Sequence, residues 1–179
     1  MAARDRAAFA EFVAARSASL HRAAYLMVGD VGLAQDLVQE ALTKTYVAWP
    51  RLRQTAAAEA YTRKAITTTA ITWFRKRSWS ERATDTLPER PETIDAGHAD
   101  ALVVRHSLLA ALAQLAPRQR AVIVLRYYED LTERQTAEAL GCAVGTVKSQ
   151  ASAGLARLRT LMGDELDIDD LIASGGVLA

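Results

Sequence analysis

Lys148, Ser149, Gln150 and Ser152 fill the stretch VKSQAS with short polar groups and one cation. Thr146 precedes them, and Arg157 and Arg159 follow in the same pattern. Side chains of these types hold phosphates and hydrogen-bond to base edges. At about 100° per residue, Val147, Ala151, Gly154, Leu155 and Leu158 gather on one side of a helix. Ser149, Ser152, Ala153 and Ala156 lie opposite. Lys148 and Arg159 flank one edge, Gln150 and Arg157 the other. One face packs, and the other is slim enough to enter a major groove about 12 Å wide. A solvated amphipathic hairpin shares this pattern, so both readings stand at this point.

A second group lies in AYTRKAITTTAITWFRKRSWSER, which starts at Ala60. Here Arg63, Lys64, Arg75, Lys76 and Arg77 are interleaved with Trp73, Phe74 and Trp79. Cations that track phosphates beside rings that stack on bases can hold single-stranded nucleic acid. The plainer reading makes Trp73 and Trp79 core residues and Arg75–Arg77 a solvated helix end, where the dipole favours cations.

The elements that position these residues are helical. Phe9 to Met27 carries apolar residues at helical spacing, and VGD at Val28–Asp30 stops it. Asp30 can cap a second helix, Leu33 to Trp49, that buries Ala34, Leu37, Val38, Ala41, Leu42, Thr45 and Trp49. Its opposite stripe is Asp36, Gln39, Glu40 and Thr43. A third helix spans about residues 57–77, with Ala65, Ile66, Thr69 and Trp73 inward. ALVVRHSLLAALAQL forms a helix, and Pro117 opens another that runs to Glu129. Thr132 with Gln135 makes a capping box for a helix ending at Leu140. Gly141 suits the left-handed residue beyond that end, and a last helix follows from Val144 to Met162. Two helices joined by a short turn at Gly141–Ala143 have helix-turn-helix spacing. The fold class is therefore all-α: two small helical domains joined by an acidic flexible linker.

Charge divides the chain in the same places. The net charge is only +1. Yet bases dominate residues 61–83, and acids dominate 84–100 (Asp85, Glu89, Glu92, Asp95 and Asp100 against Arg90). The tail after Arg159 holds Asp164, Glu165, Asp167, Asp169 and Asp170 and no base. Basic surfaces separated by an acidic linker suit a nucleic-acid partner. Arg118, Arg120 and Arg134 add to the basic side of the second domain.

Other chemistries lack residues to carry them. Cys142 is the one cysteine, so no internal disulfide forms. His21, His98 and His106 have no ligand-spaced acid or cysteine, so no metal or cofactor is expected. No nucleophile–base arrangement or phosphate loop marks an enzyme. No apolar run reaches membrane length, and the N-terminus lacks the apolar core of a signal peptide. A cytoplasmic location follows as the expectation.

The motifs, taken in order, resemble those of a known family. GDVGLAQDLVQEALTKTYVAW resembles regions 2.1–2.2 of bacterial extracytoplasmic-function (group 4) sigma factors, with DLVQE at Asp36–Glu40. AYTRKAITTTAITWFRKRSW resembles their regions 2.3–2.4. LAQLAPRQRAVIVLRYYEDLTERQTAEALGCAVGTVKSQASAGLARLR resembles their region 4. The resemblance covers about residues 9–159 except the linker. It implies region 2 at residues 1–83, a linker at 84–100, region 4 at 101–162 and an acidic tail at 163–179.

It further implies a dissociable, non-catalytic subunit of RNA polymerase that directs promoter-specific initiation. Asp36, Gln39, Glu40 and Thr43 would dock on the clamp helices of the largest subunit. Arg63, Lys64, Thr68, Trp73, Arg75, Lys76 and Arg77 would hold the melted −10 strand. Arg118, Arg120, Thr132, Arg134, Thr146, Lys148, Ser149, Gln150, Ser152 and Arg157 would meet the −35 duplex, with this domain also on the polymerase flap. Any anti-sigma partner is expected on another chain. The chain departs from the family pattern at Ala143, where a capping serine is usual, and at Gln150, where arginine is frequent. It also departs at Ala153, at Thr68 in place of asparagine, and at Thr136 in place of an aliphatic residue.

Overall fold

The computed structural model describes residues 3–52, 55–80 and 99–163, with side chains for 5–52, 55–75 and 106–163. The helices are α1 (Ala3–Val28), α2 (Val31–Ala48), α3 (Thr55–Ser80), α4 (Ala99–Ala113), α5 (Pro117–Ile123), α6 (Glu133–Leu140) and α7 (Val144–Met162). No strand occurs among the described residues. Residues 84–98 of the expected linker and 164–179 of the expected tail lie outside them.

Local chemistry sets the helix ends. Asp30 is extended and accepts the Leu33 N–H at 2.7 Å, which starts α2. Pro50 sits in a single 3₁₀ turn, Trp49–Arg51, that closes it. Pro117 occupies the first turn of α5, where its missing N–H leaves no carbonyl unserved. Thr132 and Gln135 exchange both bonds of a capping box at α6. Gly141 then takes φ 63° and ψ 43°, the left-handed conformation that ends α6.

One expectation changes in the second half. The helix from Pro117 does not run as a single α-helix to Glu129. It widens into a π turn at Val124–Tyr128, where the Glu129 N–H reaches Val124 O at 3.0 Å. Asp130 follows at φ 49° and reverses the chain.

Helices α1, α2 and α3 form the first domain, and α4–α7 the second. Leu37, Val38 and Ala41 of α2 are fully buried against α1 and α3. Leu42 and Trp49, expected inside, are only partly so. Thr45 and Thr62 are also fully buried, with hydroxyl oxygens 2.8 Å apart. Each hydroxyl additionally lies 2.8 Å from a carbonyl of its own helix, so two protons serve three contacts and neither oxygen is stranded. In the second domain α7 crosses α5 closely at Gly154. A Cβ there would stand 3.1 Å from Ile123 Cγ1.

The two domains lie against each other. One apolar cluster joins Leu20, Met27, Leu37 and Ile66 to Leu108, Leu112, Leu125 and Leu158. A smaller cluster of Val122, Ala137 and Val147, with Cys142 packed on it, holds the helix-turn-helix together.

Candidate nucleic-acid interface

On α2, Asp36, Gln39 and Thr43 are exposed and Glu40 is half-buried. Glu40 pairs with Lys44 at 2.7 Å, and Lys44 reaches across to the Thr69 hydroxyl at 2.9 Å. This stripe is thereby anchored to α3. The Thr43 hydroxyl donates to Gln39 O at 2.8 Å, which leaves Asp36 and Gln39 as the freest polar groups. Val47, 76% exposed, continues the stripe, with Tyr46 beside it. Sequence reasoning passed over both. Their signal was spacing, since Val47 follows Thr43 by one helical turn. An open groove of about 450 Å³ runs alongside, lined by Phe9, Val38, Leu42 and Tyr46.

Along α3 the expected single-strand residues part company. Lys64 and Arg75 are exposed, and Trp73 packs half-buried against the apolar cluster. The Thr68 hydroxyl donates to Lys64 O at 2.8 Å. Lys76 and Arg77 lie on α3, with side chains outside the described residues. Arg63 is turned inward. Its Nη2 meets Glu59 at 3.0 Å, and its Nε meets Glu129 of the other domain at 2.8 Å.

On the second domain, Arg118, Arg134, Lys148, Ser149, Ser152 and Arg157 are exposed, and Thr146 and Gln150 are half-buried. Lys148 stands 3.6 Å from Glu133. The Thr132 hydroxyl serves as the α6 cap. Residue 143 has the extended backbone of a cap, yet alanine provides no side-chain bond. Thr136 is fully buried, and its hydroxyl has no partner.

Arg120 departs from the expected DNA-facing set. It is 5% exposed and points into the contact between the domains. Its Nη1 donates to Met27 O at 2.9 Å, its Nη2 to Ala113 O, and its guanidinium lies 5.0 Å from the Phe74 ring centre. The reason is helical geometry. Two residues along a helix is over half a turn, so Arg120 faces in where Arg118 faces out. Burial lowers its pKa to about 10, which leaves it charged at neutral pH. The carbonyls it serves lie at the ends of α1 and α4, where helix dipoles and unpaired oxygens favour a cation.

One edge of each basic surface thus meets the other. Thr68, Thr72 and Arg75 of α3 and Arg118, Thr146 and Gln150 of the second domain line one gap of about 190 Å³. No cluster of metal-ligating side chains occurs among the described residues. No described helix is long and apolar enough to cross a membrane.

Comparison with known proteins identifies the two domains. Residues 12–80 match the family described as Sigma-70 region 2, and residues 105–158 match Sigma-70, region 4. The chain is 42% identical over 161 residues to the RNA polymerase sigma-E factor of Streptomyces coelicolor, covering 89% of each. It is 41% identical over 166 residues to the sigma-E factor of Streptomyces antibioticus, covering 92% of this chain and 88% of that one. With the ECF RNA polymerase sigma factor SigX of Bacillus subtilis it shares 28% over 165 residues, 85% of this chain and 84% of the other. Its fold resembles a solved co-crystal structure of the sigma factor RpoE with the anti-sigma factor NepR from Bartonella quintana. That match has TM-score 0.71 and 23% identity, covering 88% of this chain and 98% of that one. The chain belongs to the sigma-70 family, among the extracytoplasmic-function sigma factors. It is a sigma factor that directs transcription initiation.

Proposed function

We propose that this factor binds core RNA polymerase through α2 and reads two promoter elements with its two domains. Residues 1–83 form the docking and −10 module, 84–100 a linker, 101–162 the −35 module and 163–179 an acidic tail. Asp36, Gln39, Glu40 and Thr43, extended by Val47, meet the clamp helices of the largest subunit. Lys64, Thr68, Trp73, Arg75, Lys76 and Arg77 hold the melted −10 strand, joined by Arg63 once it leaves Glu129. Lys148, Ser149, Gln150 and Ser152 enter the −35 major groove from α7. Arg118, Thr132, Arg134, Thr146 and Arg157 line its phosphates, and the same domain rests on the polymerase flap. The factor works in the cytoplasm without a catalytic site of its own. An anti-sigma factor on another chain, the kind of partner seen with the Bartonella protein, would act on these faces.

The observation that carries this reading is the exposed small face of α7, Ser149, Ser152, Ala153 and Ala156, on a helix whose other face is buried. Run-off transcription tests it. Core enzyme plus the factor is expected to yield a promoter-specific transcript, with weak binding of the free factor to duplex. Tight binding to a palindromic duplex, with no transcript from core enzyme, would show a stand-alone helix-turn-helix regulator instead.

A further inference from the structure

We propose that in the free factor the second domain closes on the first as an internal nucleic-acid mimic, with Glu129 at Arg63 in the place of a strand phosphate. This rests on the reading of α3 as the single-strand surface. The Arg63–Glu129 pair is 2.8 Å long, and the two side chains are only 16% and 13% exposed. A carboxylate on Nε satisfies a guanidinium as a phosphate oxygen does, through a short charge-assisted bond. Glu59 takes the neighbouring Nη2 of Arg63 and is itself held by Arg16 at 2.9 Å. Carboxylates therefore hold both Nε and Nη2 of Arg63 while Glu129 is present.

Neighbouring contacts hold the mimic in place. Tyr128, next in the chain, accepts a bond from Arg22 at 2.9 Å. Arg120 reaches Met27 O and lies against Phe74. Each contact joins the segment 120–129 to α1 or α3, so the acidic residue arrives on a fixed mount. The same closure sets Gln150 and Arg118 opposite Thr68 and Arg75 across the 190 Å³ gap. Each reading surface then shields an edge of the other. A promoter strand that competes for Arg63 displaces Glu129 and frees both together.

The test uses the full chain carrying Glu129→Gln, which keeps the shape and removes the charge. Distances between fluorophores placed on α2 and α7 are expected to lengthen. Affinity for a single-stranded oligonucleotide is expected to rise about fivefold, as a charge-assisted bond becomes a neutral one. A second variant, Tyr128→Phe, removes only the oxygen that serves Arg22 and is expected to shift both readings the same way, to a smaller degree. Unchanged distances and affinity in whichever variants fold would overturn the mimic. Run-off transcription with core enzyme is measured in parallel. Opening without a promoter-specific transcript keeps the mimic and defeats the sigma reading of the surfaces. A wild-type transcript with no opening in either variant does the reverse.

Discussion

The Arg120 guanidinium donates to the backbone oxygen of Met27 at 2.9 Å, joining residues 93 positions apart. It serves the end of α4 as well, through Ala113 O. Replacing it by alanine strands two acceptors and leaves a void under Phe74. Arg120→Ala is expected to lower unfolding free energy by about 2–4 kcal/mol in urea titration. Arg120→Met is expected to cost less, since it refills the space and ends the desolvation of a charge.

Proton linkage gives a second check on this residue. The folded pKa is depressed to about 10, below the unfolded value, so the folded state binds fewer protons only above neutrality. The burial penalty is present at all lower pH and is relieved as pH rises through about 10. Between about pH 6 and pH 9, the stability difference between wild type and Arg120→Met should therefore be flat. A slope in that window, measured by urea titration at each pH, would implicate another group.

Two glycines of α7 should respond oppositely to alanine. Gly145 has nothing within 4 Å of a new Cβ, and Gly145→Ala is expected to stabilise by up to about 1 kcal/mol through helix propensity. Gly154 is buried against the Ile123 side chain, whose Cγ1 would be 3.1 Å away. Ile123 sits in the packed cluster and has little room to yield. Gly154→Ala should lose stability by about 1 kcal/mol or more despite the better propensity. Thermal melts of the two variants give the comparison.

Residue 143 already has the geometry of a cap, at φ −73° and ψ 150°. Ala143→Ser adds an acceptor for a first-turn N–H of α7. The expected gain is about 0.5–2 kcal/mol, read by denaturant midpoint.

What the sequence revealed and what it hid divide along the distance between partners. Asp30, Thr132 with Gln135, and Gly141 act on groups within a turn, so residue type and spacing disclosed their roles. The outward and inward faces of α7 followed from periodicity for the same reason. Arg120 did not, because its partners Met27 and Phe74 belong to the other domain. Its position two residues from Arg118 was the one local sign. Glu129 was equally opaque, since an acid after a pair of tyrosines reads as solvated until Arg63 stands beside it. The π turn at Val124–Tyr128 carries no glycine or proline to mark it.

Base readout is expected to rest on few groups. Gln150 has one amide and Ser152 one hydroxyl, and no arginine stands among the residues of α7 from Val144 to Gly154. Alanine at Gln150 and Ser152 together should relax −35 preference, while Lys148→Ala should weaken binding across all sequences. Transcription from a panel of −35 variants separates the two effects. Unchanged preference in the double variant would leave DNA shape and backbone contacts as the source of selectivity.

The apolar seam between the domains has a thermal consequence. Leu26 faces Leu108, Leu112 and Val124 around a void of only about 10 Å³, so closure removes hydrocarbon surface from water on both sides. Such burial carries a large heat-capacity change and weakens on cooling. Chilling therefore weakens the apolar share of the closure, while the Arg63–Glu129 pair and the Arg120 bonds across the same seam do not depend on that hydrocarbon burial.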